Sequence, residues 1–161
     1  MVETPRAAPP GRACPAHDLG IVDGLVQLSA IVQAVLSRVT AGADLSVQQG
    51  RLLSILRDRE PSMAQLARLL DLDKSSTTGL VDRATQRGPV RRFADPEDGR
   101  SFRVVLTDDG RRLTEVLGNE VAREVAALTD GLSDTNRHRL SLLAGRVIAD
   151  AAVARGIGLS A

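Results

Sequence analysis

The side chains with the clearest chemical potential lie between Ser62 and Arg112. Lys74, Ser75, Ser76 and Thr78 place one ammonium and three hydroxyls within five residues, with Arg83 further on. A hydroxyl both donates and accepts hydrogen bonds, whereas lysine and arginine only donate and carry charge. Such a set suits binding to phosphate oxygens or to base edges, and hydroxyls alone specify little about sequence. Counting from Lys74 to Arg112, nine basic residues face six acidic ones, a local excess of three. The whole 161-residue chain has 21 basic and 20 acidic residues, so a footprint for a polyanion has to be local.

Other chemistries are poorly supplied. One cysteine (Cys14) and two histidines (His17 and His138) cannot form the usual four-ligand zinc site or an intrachain disulfide framework. Cys14 and His17 do not define a nucleophile and base, and no Gly-rich phosphate loop is present. Asp95, Glu97 and Asp98 lie in a turn with no histidine nearby in sequence. Neither catalysis nor a cofactor is expected. With only Phe93 and Phe102 as aromatic residues, a stacking platform for single strands is also disfavoured.

The elements that must hold these residues follow from periodicity and capping. Residues 1–16, with Pro5, Pro9, Pro10 and Pro15, read as a mobile tail. From Asp18, a plausible cap, to about Thr40 runs a helix whose Ile21, Val22, Leu25, Val26, Leu28, Ile31, Val32, Val35, Leu36 and Val39 exceed one narrow stripe. That much apolar surface suits a subunit interface or a central buried helix. Asp23, Gln27, Gln33 and Arg38 interrupt it, and neither export nor membrane insertion is expected.

Ser46 with Gln49, and Ser62 with Gln65, have capping-box spacing and open two helices. Asp71-Leu72-Asp73 makes a turn, and Asp73 caps a helix from Lys74 to about Arg87 with Thr77, Leu80, Val81 and Ala84 facing inward. Two short helices about a tight turn form a helix-turn-helix. Gly88 and Pro89 end the second helix. Two strands, 90–94 and 101–106, then form a hairpin around Asp95-Pro96-Glu97-Asp98-Gly99, with Phe102, Val104 and Leu106 alternating against Arg103 and Val105. Thr107 caps a helix to about Thr129, and Ser133 opens the last, to about Val153. The fold class expected is mainly α with a small β-hairpin wing: a winged helix-turn-helix of six helices, dimeric.

The segment from Asp73 to Gly88, the following Pro89 to Arg100 and then Val105-Leu106-Thr107 resemble the recognition helix, wing and succeeding helix start of the MarR family of transcription regulators. Pro89 and Ala84 depart from that pattern, standing where a bulky apolar residue and a leucine are usual. The resemblance implies double-stranded DNA as partner, with Arg100 of the Asp98-x-Arg100 wing tip in the minor groove, where a planar permanent cation is favoured. Asp98 would then hold Arg100 or Arg92 in position. The expected DNA-binding residues are Ser62, Lys74, Ser75, Ser76, Thr78, Arg83, Arg92, Asp98 and Arg100.

The organisation expected is a tail at 1–16, a dimerisation helix at 17–45, a DNA-binding region at 46–112, C-terminal dimerisation helices at 113–155 and a tail at 156–161. The function expected is a cytoplasmic homodimeric regulator of a pseudo-palindromic operator, a repressor rather more than an activator, and the resemblance implies release by a small effector. Alternatives are a winged helix that binds protein and, less favoured, a redox sensor based on Cys14, which lies in the Pro-rich tail.

Overall fold

The computed structural model describes residues 18–95 and 101–154. The expected N-terminal tail with Cys14 and His17, the wing-tip residues Asp98 and Arg100, and the tail at 156–161 lie outside these residues. The order is α1 (Gly20–Gly42), α2 (Val47–Leu56), α3 (Met63–Leu70), α4 (Lys74–Arg87), β1 (Val90–Ala94), β2 (Phe102–Leu106), α5 (Asp108–Ala127) and α6 (Asp134–Ala154).

Local hydrogen bonds explain most helix starts. Ser46 and Ser62 hydroxyls accept the Gln49 and Gln65 amides at 3.2 and 3.3 Å. The two glutamine side chains accept the Ser46 and Ser62 amides at 2.9 Å in return, which closes both capping boxes. The start of α1 is different: Asp18 accepts the Gly20 amide at 2.9 Å, but Leu19 occupies the cap position. The helix also runs two residues past Thr40, whose hydroxyl donates to the Leu36 carbonyl at 2.8 Å within the last turns. The chain leaves α1 through Asp44, which adopts a left-handed φ of 55°.

Helices α2, α3 and α4 close around an aliphatic core in which Leu52, Leu53, Leu66, Leu70, Val81, Val90 and Val104 are fully enclosed. The strands pair antiparallel from Val90 with Leu106 to Ala94 with Phe102. The connection before α3 joins this sheet edge: the Val104 amide donates to the Pro61 carbonyl at 3.0 Å, and Ser62 bridges Arg103. Strict alternation along β2 does not hold. Val104, Val105 and Leu106 are all buried, so both faces are covered where the strand meets α5, while Phe102 at the other end is exposed.

The C-terminal half of α1 packs on α2 and α5, burying Val35, Val39 and Thr40. Its N-terminal half is bare, with Ile21 77% and Val22 69% exposed. Among the described residues helix α6 packs extensively against no other element, and Leu142, Leu143, Val147 and Ile148 are exposed along it. Among the described residues α1 alone is long and apolar enough, by length and composition, to cross a membrane. Its last turns are built into the domain core.

The hairpin joins α5 at a tightly fitted junction. The Thr107 hydroxyl caps α5 by accepting the Gly110 amide at 3.1 Å and donates to the Gly88 carbonyl at 2.8 Å, while the Thr107 amide donates to Pro89 O at 3.0 Å. A Cβ on Gly110 would stand 1.9 Å from the Pro89 carbonyl oxygen, so the backbones approach this closely only because residue 110 has no side chain. Gly110→Ala is expected to cost about 1–3 kcal/mol through forced displacement. Denaturant unfolding at fixed protomer concentration checks this, and an unchanged midpoint would contradict the fit described.

Candidate nucleic-acid interface

Burial of Thr77, Leu80, Val81 and Ala84 turns one face of α4 inward, as the helical period requires. The opposite face presents Lys74, Ser75 and Ser76, all exposed, with Thr78 half-buried. Ala84 fits beneath α4 at 3% exposure, and Pro89 is buried with its carbonyl bonded to Thr107, so both sequence departures are accommodated in the core.

The hydroxyls are not equivalent. Asp73 accepts the Ser76 amide at 2.8 Å and the Ser76 hydroxyl at 2.6 Å, fixing the first turn of α4. Thr78 donates its hydroxyl proton to the Lys74 carbonyl at 2.8 Å. Ser76 and Thr78 therefore offer an incoming partner acceptor lone pairs, whereas Ser75 keeps its proton and can serve in either sense. Lys74 forms no ion pair among the described residues and stands beside the positive end of the helix dipole, which adds to its attraction for phosphate. The Ser76 hydroxyl, and after it the Ser76 amide, hold the Asp73 carboxyl below the ordinary carboxylate value.

Arg83 is exposed and lies over Gly79: its Nη1 is 3.3 Å from where a Gly79 Cβ would be. Glycine at 79 lets this guanidinium fold back along α4. Ser62 is half-buried and engaged in the α3 capping box. Arg92 on β1 meets Asp82 on α4, with Nη2 2.8 Å from Oδ1, so its carboxylate partner comes from the recognition helix. Its Nε and Nη2 are buried without a directed hydrogen bond, so the pair is held by charge. At the wing base Arg103 reaches the buried Asp95 carboxylate at 3.0 Å and the Glu60 carbonyl at 3.4 Å. The pairings of Arg103 with Asp95 and of Arg92 with Asp82 cross elements, so no local spacing in the sequence signals them.

Between α1, α2 and α5 is a cavity of about 370 Å³. Leu36, Val39, Leu53, Leu117 and Val121 form its apolar wall, and Arg51 and Arg57 stand on its lining. A shallower cleft of about 500 Å³ adjoins it, lined by Arg57, Arg111, Thr114 and Asn119. Gly118 lines both, with open space where a side chain would be. Among the described residues no cluster of three metal-ligating side chains occurs.

A sequence profile of the MarR family matches residues 43–101. The chain is 28% identical over 131 residues to the HTH-type transcriptional regulator PecS of Dickeya dadantii (strain 3937), covering 79% of each protein. It is 28% identical over 126 residues to the HTH-type transcriptional repressor YetL of Bacillus subtilis (strain 168), covering 76% of this chain and 75% of that one. The crystal structure of a probable transcriptional regulator from Pseudomonas aeruginosa is 31% identical, with a TM-score of 0.62 over 81% of this chain and 98% of the other.

The carboxylates that hold α4, Asp82 and Asp73, set two expected outcomes. In Asp82→Ala the Arg92 guanidinium is freed and a negative charge is lost, so affinity for unrelated duplex should rise. The dependence of log K on log salt should steepen by about one phosphate contact. A salt titration of binding checks this, and a parallel line at unchanged affinity would contradict it. The Asp73 cap, its carboxyl depressed in the folded state, stabilises fully above the unfolded carboxyl's titration range and is lost as pH falls through the folded value. A carbon-13 titration should give Asp73 a midpoint below that of a free aspartate, and Ser76→Ala should move it upward.

Proposed function

The chain belongs to the MarR family of winged helix-turn-helix transcriptional regulators, and from that premise we propose that it is a homodimeric repressor of a pseudo-palindromic operator. The observation that carries this reading is the outer face of α4, where Lys74 forms no ion pair among the described residues, Ser75 keeps both hydrogen-bonding senses and Ser76 and Thr78 offer lone pairs. A helix presented in this way enters the major groove by its N-terminal half. Arg83 and Ser62 would meet phosphates, and Arg100, with Asp98 beside it, would reach the minor groove. Arg92 would contribute through the position of the wing, since Asp82 holds it.

Residues 17–45 and 113–155 would form the dimer, around a DNA-binding region at 46–112. The bare apolar faces of α1 and α6 support this, because exposed Ile21, Val22, Leu143 and Val147 need a cover that the described residues do not supply. A two-fold axis places the two recognition helices about one helical turn of DNA apart, roughly 34 Å, or a multiple of it. The same cover would make α1 an interface helix of a cytoplasmic protein. A small effector would occupy the cavity between α1, α2 and α5 and favour a dimer geometry unable to span both half-sites. Repression is the sense of regulation that the name of YetL carries, and it is proposed here for this chain.

Fluorescence anisotropy with duplex from upstream of the gene, against a scrambled competitor, tests the reading. Saturable binding that resists the competitor and weakens with salt is expected. Arg100→Ala should weaken it with the dimer intact, and Lys74→Ala should weaken it while reducing the salt slope by about one. Weak and equal binding to both duplexes would point instead to a winged helix that serves a protein partner.

A further inference from the structure

The C-terminal end of the recognition helix is fastened to the end of the dimerisation helix by one side chain. Arg87, the last residue of α4, places Nη1 2.7 Å from the Asp44 carbonyl oxygen and Nη2 2.8 Å from Asp44 Oδ2. Both contacts go to a single residue, so they fix direction as well as distance. Asp44 is itself held firmly. It sits in the left-handed region at φ 55°, its amide donates to the Ala41 carbonyl at 3.0 Å, and the flanking amides of Ala43 and Leu45 donate to the Thr40 carbonyl at 3.1 and 2.9 Å. Leu45 is buried in the core directly after it. The turn therefore moves with the C-terminal end of α1.

An exposed ion pair of this kind adds little to folding, and Asp44 is almost wholly solvent-accessible. Its consequence is geometric. Helix α4 packs mainly on α3, α2 and β1, and α1 packs on α2 and α5, so the Arg87 fork gives α4 a link to α1 beside the shared core.

Resting on the dimeric DNA-binding reading above, we propose that Arg87 is a positioning residue. Through Asp44 it makes the recognition helix turn with the dimerisation helix, and it thereby narrows the half-site spacing that the dimer accepts. Two recognition helices set by one two-fold axis discriminate spacing only as sharply as each is held to that axis. The alternative role for Arg87 is a plain phosphate contact, and the two roles predict opposite signs when Asp44 is removed. Loss of the acid would free a phosphate-binding arginine and strengthen DNA binding, whereas loss of the anchor would weaken binding to the correctly spaced site.

The test uses the full chain with Cys14→Ser and a spin label at Gln86→Cys, an exposed position next to the clamp. Asp44→Gly removes the carboxylate and suits the positive φ, and Arg87→Ala removes the fork. Double electron–electron resonance on the free dimer should show the distribution of distances between the two labels broaden at least twofold in both variants, and no further in the double variant. On operators with the native spacing and with one base pair added or removed, each variant should bind the native spacing about tenfold more weakly and lose most of its preference for it. Unchanged distance widths, or an Asp44→Gly protein that binds all spacings as tightly as wild type or tighter, would overturn the proposal. Because the widths are read without DNA, failure of the parent to bind any duplex would refute the regulatory reading and leave the clamp to be decided by the distances.

Discussion

Everything functional in this molecule depends on the burial of one face of α4. Thr77, Leu80, Val81 and Ala84 are pressed into an aliphatic core, and a helix that buries those positions has to turn Lys74, Ser75 and Ser76 toward solvent. Hydrophobic burial and helical geometry thus prepare the contact surface before any partner arrives. The core achieves this without tryptophan or tyrosine, with leucine and valine filling the space. Small aliphatic side chains pack closely, so backbones approach one another, as they do where Gly110 meets Pro89.

Polar contacts then fix the parts that the core leaves free to rotate. Asp73 holds the first turn of α4, Asp82 ties α4 to β1 through Arg92, and Asp44 takes the other end through Arg87. Asp95 and the Glu60 carbonyl hold Arg103 and with it the base of the wing. The exposed Arg87–Asp44 pair contributes little to stability by itself, because exposed ion pairs are screened and lose side-chain entropy. Together these contacts orient a rigid helix, and orientation is what a reader of DNA requires. Acidic residues within a surface meant for a polyanion are consistent with that purpose, since they direct arginines and confine charge to chosen points.

Helices α6 and α1 show the opposite balance. Helix α6 and the first half of α1 leave apolar side chains in water, and Val147 and Ile148 at 57% exposure each are typical. This surface has no extensive partner among the described residues, and the excess of apolar residues in α1 already signals it.

The sequence by itself determined the parts that hydrogen bonds of short span control. Ser46 with Gln49, Ser62 with Gln65, Asp73 with Ser76, and Gly88 as a left-handed stop all act over three residues or fewer, so spacing alone locates them. The inward positions of α4 were legible because a period of 3.6 sorts apolar from polar residues regardless of what lies opposite. Periodicity failed at Phe102 and Val105, where burial depends on which ends of the hairpin are covered. It was silent on Arg92 with Asp82, Arg103 with Asp95 and Arg87 with Asp44, the last pair separated by 43 residues. Only the tertiary structure decided those, because a long charged side chain selects its partner from whatever the fold brings within reach, and that choice leaves no trace in local sequence.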